Sequence, residues 1–160
     1  MSEYKGIKGF QVQTRTEDPT PYAQALADNP YAGVWSSGGS LNTGRSNLSG
    51  FGTQTSSIAA GGYTTTDVAV VESYNGTAFT EVADLNSARR GTGSAGSDNT
   101  AGITFGGGGG GASPGVNISL NESWNGSSWT EVGDLNTGRQ LITGTGTQTA
   151  ALGIGGGTNP

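Results

Sequence analysis

The chain has 160 residues, 31 of them glycine, with no cysteine, no histidine and a formal net charge of −5 from 7 Lys+Arg against 12 Asp+Glu. That composition excludes a disulfide framework, a thiolate nucleophile, Cys- or His-ligated metal and a Ser-His-Asp triad, and no cofactor is expected. The shortage of Lys and Arg argues against nucleic-acid binding, and abundant Gly, Ser and Thr with scattered Val, Ile and aromatics suits many short strands joined by turns.

Residues 1 to 33 stand apart as an N-terminal arm. Tyr4, Ile7, Phe10 and Val12 give a short extended apolar pattern, interrupted by Gly6 and Gly9. They are the candidate docking residues, because apolar side chains on a free arm call for a partner. Glu17-Asp18-Pro19-Thr20-Pro21 reads as a linker, and Tyr22 to Ala27 as one or two helical turns after Pro21. The start of the chain lacks the apolar stretch of a secretory signal, and no run approaches 18 apolar residues, so no membrane insertion is expected.

Residues 34 to 160 repeat. Leu41-Asn-Thr-Gly-Arg45 recurs as Leu85-Asn-Ser-Ala-Arg89 and Leu135-Asn-Thr-Gly-Arg139, at steps of 44 and 50 residues. Trp35, Phe79 and Trp129 each precede the Leu by six positions; Tyr74 and Trp124 stand five residues before Phe79 and Trp129. A glycine pair follows each Leu, at Gly61-Gly62, Gly106-Gly107 and Gly155-Gly156. Most of the extra length of the second unit lies between Gly107 and Trp124, around the run Gly106 to Gly111 and Pro114, which marks a surface-loop insertion.

In chain order, a lone fourth strand is expected over Val34 to Leu41. The unit of about 46–89 then supplies four strands: Ser46 to Gln54, Ser56 to Ala60, Asp67 to Tyr74 and Thr77 to Leu85. Asn75-Gly76 predicts a type I′ hairpin between the last two. The unit of about 90–139 repeats the pattern with Asn125-Gly126, and two more strands follow Arg139, giving about eleven strands.

A glycine pair, two spaced aromatics and an arginine, recurring every 44 to 50 residues, resemble the kelch repeat. The matching residues are Gly61, Gly62, Tyr74, Phe79 and Arg89, then Gly106, Gly107, Trp124, Trp129 and Arg139. The wording Trp-Asn-Gly-Ser-Ser-Trp-Thr-Glu-Val and Leu-Asn-Thr-Gly-Arg is also similar to kelch-like repeats in virion structural proteins of marine tailed phages. The resemblance implies an all-β fold of propeller blades. Eleven strands make fewer than three blades where propellers use four to eight, so the expectation is an incomplete β-propeller: the front part of a longer protein, or a chain that assembles with copies of itself or with other virion proteins, the alternative being repeats stacked openly in a non-propeller β arrangement. It further implies structural roles for Arg45, Arg89 and Arg139, and core packing for Trp35, Tyr74, Phe79, Trp124 and Trp129.

Other chemistry is weaker. The glycine run lacks the Gly-Lys-Ser/Thr of a phosphate loop. Glu72, Glu81, Asp84, Glu122, Glu131 and Asp134 fall at repeat-equivalent positions, whereas a glycosidase pair breaks repeat symmetry. The expected function is non-enzymatic, and the resemblance to phage repeats implies a tail fibre, tail appendage or head-surface protein, assembled in the host cytoplasm and located in the virion. Its arm would dock to the particle and its repeats would present loops to host-surface polysaccharide. The alternatives are a fragment of a carbohydrate-active propeller enzyme and a cellular kelch-type protein-binding module.

Overall fold

Strands in this chain are mostly short runs rich in small, β-branched and aromatic residues, and several are closed by glycine or asparagine. The computed structural model describes residues 35–109 and 116–158. The chain divides into two units, Met1–Ser37 and Gly38–Pro160, and the strands of the described residues lie in the second. The arm residues Tyr4, Ile7, Phe10 and Val12 lie outside the described residues.

The described residues are all-β, and every strand pairing is antiparallel. The first sheet runs in chain order through β1 (Ser49–Thr53), β2 (Ser56–Ala60), β3 (Val71–Tyr74) and β4 (Phe79–Val82). The second places β5 (Gly93–Asp98), β6 (Ala101–Phe105), β9 (Asn121–Trp124) and β10 (Trp129–Val132) side by side in the same order. Between β6 and β9 a small ribbon pairs β7 (Gly108–Gly109) with β8 (Val116–Asn117), where the sequence places its insertion. A hairpin of β11 (Gln140–Thr147) and β12 (Ala150–Gly157) follows, and none of the sheets closes on itself.

Three sequence expectations change. Residues 35–41 form no strand. The segment is rich in Ser and Gly, so it brings no cross-strand side-chain pairs; instead Gly38 and Gly39 run against Tyr74 and the Thr77–Ala78 backbone. The third strand starts at Val71 rather than Asp67. Val68 N–H donates to the Gly62 carbonyl and Gly61 N–H to that of Val70, so the Val-rich run first wraps the glycine pair. Finally, the Asn-Gly turns are not type I′. Tyr74 pairs with Phe79, leaving the four residues 75–78 as the loop. Asn75 Oδ1 accepts the amides of Thr77 and Ala78, and only Gly76 takes positive φ, at 92°. Asn125 and Gly126 repeat this arrangement.

The glycine pairs are needed for their backbone. Gly61 and Gly62 have φ of 63° and 119°, Gly106 and Gly107 65° and 108°, and Gly155 and Gly156 71° and 80°. In the first two pairs this left-handed turn also admits the next arginine loop: Gly62 N–H donates to the Arg89 carbonyl and Gly107 N–H to that of Arg139, both at 2.9 Å.

Two cores join the sheets. Phe51, Ile58, Ala60, Val71 and Leu85 pack with Trp124 and Trp129 of the next sheet. Trp124 and Trp129 lie 5.2 Å apart between ring centroids, and Phe51 meets Trp129 edge-on at 6.4 Å. Both indoles are satisfied, Trp124 Nε1 by the Asn99 carbonyl and Trp129 Nε1 by the Ala83 carbonyl. Ala95, Phe105 and Ile142 form the second core. Glycines let the sheets approach closely. A Cβ at Gly144 would overlap the Ser94 main chain, and one at Gly102 would overlap the Phe51 ring. Ser94 Oγ donates to the Gly50 carbonyl at 2.7 Å, tying β5 to β1. Two main-chain bonds continue this link along the array: Gly91 N–H to Asn47 O at 2.8 Å, and Leu141 N–H to Gly91 O at 2.7 Å.

Candidate functional site

The repeated loop Leu-Asn-(Thr/Ser)-x-Arg and the third strand of the sheet beside it build a buried ionic clamp. In the first register, Glu72 on β3 accepts the Asn42 amide at 2.7 Å and the Thr43 amide at 3.3 Å. The Arg45 guanidinium pairs with the same carboxylate, and both side chains are fully buried. Arg45 is held in turn by the carbonyls of Gly61, Thr43 and Ala59. In the second register, Glu122 on β9 accepts the Asn86 amide at 2.8 Å and the Asn86 side-chain amide at 2.9 Å. Arg89 pairs with Glu122 at 2.9 Å and also donates to the carbonyls of Leu120 and Gly106. These contacts offset the cost of withdrawing two charges from water, although Arg89 Nε is buried without a hydrogen-bond partner among the described residues.

The field within the clamps follows from these contacts. Burial pushes the Glu72 carboxyl upward, but the Arg45 hydrogen bond, the Asn42 and Thr43 amides and the Arg45 charge together hold it below its ordinary value. Burial draws Arg89 below the usual arginine value against the opposing pull of Glu122, Glu131 and Asp134, and the guanidinium stays charged. The Asp98 carboxyl is also lowered, by hydrogen bonds from the Thr100 hydroxyl and amide.

In the third register, Arg139 Nη1 donates to the Gly155 carbonyl at 2.6 Å, matching the Arg45 contact to Gly61 and the Arg89 contact to Gly106. Among the described residues no carboxylate lies within ion-pair distance of Arg139. A fourth cation, Arg90, pairs with Asp67 at 2.9 Å and stacks over the Tyr63 ring at 4.6 Å.

Of the residues singled out in the sequence, Trp124 and Trp129 are buried, at 1% and 6% exposure. Tyr74 and Phe79 are half-buried and stack at 4.7 Å. Trp35 departs from the expected core packing: it is 99% exposed and, among the described residues, lies outside any strand. The sequence reading did not identify Glu72 and Glu122 as the arginines' partners. The signal was present, because the Arg-to-Glu separation is 27 residues in one unit and 33 in the next, a difference that comes mostly from the insertion. Glu81 and Glu131, directly across the ladder from Glu72 and Glu122, remain exposed.

The hairpin tips Asn75–Ala78 and Asn125–Ser128 are fully exposed, polar and held rigid by the asparagine side chains. Among the described residues no group of three or more acidic side chains is placed to hold a metal ion. No protein-family model matches the chain, and no curated protein matches it.

Proposed function

We propose that the chain is a non-enzymatic virion structural protein whose sheets are kelch-like blades, part of an incomplete β-propeller. The blade reading is supported by the order of the four-stranded sheets and by the close approach of their first strands, β1 to β5 and β5 to β11. In this reading the arm bearing Tyr4, Ile7, Phe10 and Val12 docks to other virion proteins or to copies of the chain. The repeats hold loops toward a host surface, with polysaccharide as the ligand class.

One observation carries the functional reading. The two buried Arg–Glu pairs are consumed inside the sheets, while the hairpin tips repeat the same exposed Asn-Gly frame. Repeated polar tips on a rigid scaffold suit binding through many weak contacts, strengthened by copy number. The test is a density-gradient separation of particles from lysed host cells, probed with an antibody to the chain. The chain should co-sediment with particles. Its absence from them, or release of sugar from host polysaccharide by the purified chain, would overturn the reading.

A further inference from the structure

The third register repeats the donors of the ionic clamp on an open sheet edge. Leu135-Asn136-Thr137-Gly138-Arg139 matches the loops that hold Glu72 and Glu122, and Arg139 is already anchored on the Gly155 carbonyl. Asn136, Thr137 and Arg139 line a cavity of about 230 Å³ together with Leu135, Ile142 and Gly153. Beside it lies β12, exposed along its whole length, with Leu152 at 60% and Ile154 at 51%. Among the described residues its one ladder partner is β11.

We propose that this corner is a receptor for a β-strand of a partner polypeptide that carries a glutamate two residues before an aromatic. The strand adds antiparallel to β12 and seats its carboxylate on Arg139 and the Asn136 and Thr137 amides. The register follows from the two complete sheets. Glu72 lies across from Ala59, and Glu122 across from Thr104, each two residues before a glycine pair. The corresponding position on β12 is Gly153, which is one of the residues lining the cavity. The aromatic two residues on, Tyr74 or Trp124, lies across from Ser57 or Gly102, which corresponds to Ala151. The residue between them faces Leu152, and the one before the glutamate faces Ile154.

The partner's chemistry is set from three sides. The open edge offers main-chain hydrogen bonds to an extended segment. The guanidinium selects a carboxylate, and its planar fork favours one at fixed distance from the strand backbone. The exposed Leu152 and Ile154 supply apolar area for the incoming side chains. Both Glu-Ser-aromatic segments among the described residues, at 72–74 and 122–124, are already paired in their own sheets. This proposal rests on the repeat geometry and is independent of where the protein acts.

The test uses the full chain and a fluorescent synthetic peptide copying residues 119–134, read by anisotropy, with hydrogen exchange on residues 150–157. Saturable binding with slowed exchange at Leu152–Gly155 is expected. A peptide with glutamine in place of the glutamate equivalent to Glu122 should bind at least about tenfold more weakly, and so should the wild-type peptide on Arg139→Met. The altered peptide leaves the protein untouched, so a folding defect in Arg139→Met does not blunt the test. No binding, equal binding of both peptides, or protection confined to other strands would overturn the proposal. Self-association of the chain that is lost in Arg139→Met would also overturn it, by placing a second copy on the edge.

Discussion

Arg89 reaches from the loop ahead of the second sheet to Glu122 on that sheet's third strand, 33 residues away, and the two meet at 2.9 Å with their side chains almost wholly out of water. The bond joins two points that the chain brings together only after the insertion loop has been closed. It holds the loop against β9, while the carbonyls of Gly106 and Leu120 both accept from the guanidinium Nη1.

Removing one member of that pair leaves the other charge buried alone. Arg89→Met and Glu122→Gln should each cost about 3–5 kcal/mol in urea unfolding. The double substitution Arg89→Met/Glu122→Gln should cost clearly less than the sum of the single effects. Additive losses would mean that the two groups do not act as a unit.

Acid should weaken the first clamp. The Glu72 carboxyl is held below its ordinary value of 4.5 in the folded chain, so the unfolded chain takes up its proton first as pH falls. Stability from this group is complete above the unfolded value and is lost as pH drops through the lowered folded one. Unfolding free energy measured below pH 4.5 should therefore fall with pH, and Glu72→Gln should flatten part of that slope.

The inter-sheet aromatics differ in burial and so in cost. Trp129→Ala empties a site between two sheets and should lose about 3–5 kcal/mol by chemical denaturation. Phe79→Ala removes a half-buried ring at the equivalent position and should lose less than half of that. Equal losses would contradict the packing described above.

Two residues after each repeat arginine, the backbone is left-handed. Asn47, Gly91 and Leu141 occupy this position with φ of 53°, 61° and 55°. Asparagine and glycine accept it readily, whereas leucine is strained there. Leu141, 69% exposed, gives up little packing on replacement. Leu141→Asn should raise stability by about 0.5–1 kcal/mol, measured as a higher urea midpoint at unchanged slope.

Much of this architecture is legible in the residues. Ser56 to Ala60 stands where its spacing puts it, and the Asn-Gly-closed strands lie within their expected spans but are shorter, because hairpin asparagines and double glycines demand local backbone shapes that few other residues allow. The partnership of Arg89 with Glu122 is harder to read. It depends on which strand faces which loop after folding, and a single sequence shows both residues only as repeats of their own kind. Trp35 misleads for a related reason. Its place before Leu41 matches Phe79 and Trp129, but an aromatic is buried only if its strand has a neighbour to pair with, and residues 35–41 form no strand.

The amide-to-carbonyl relay from Leu141 through Gly91 to Asn47 involves main-chain atoms alone. Substitutions that keep the left-handed backbone at these three positions leave it uncut. The repeats are thus free to diverge in composition and in loop length while their spacing is inherited intact.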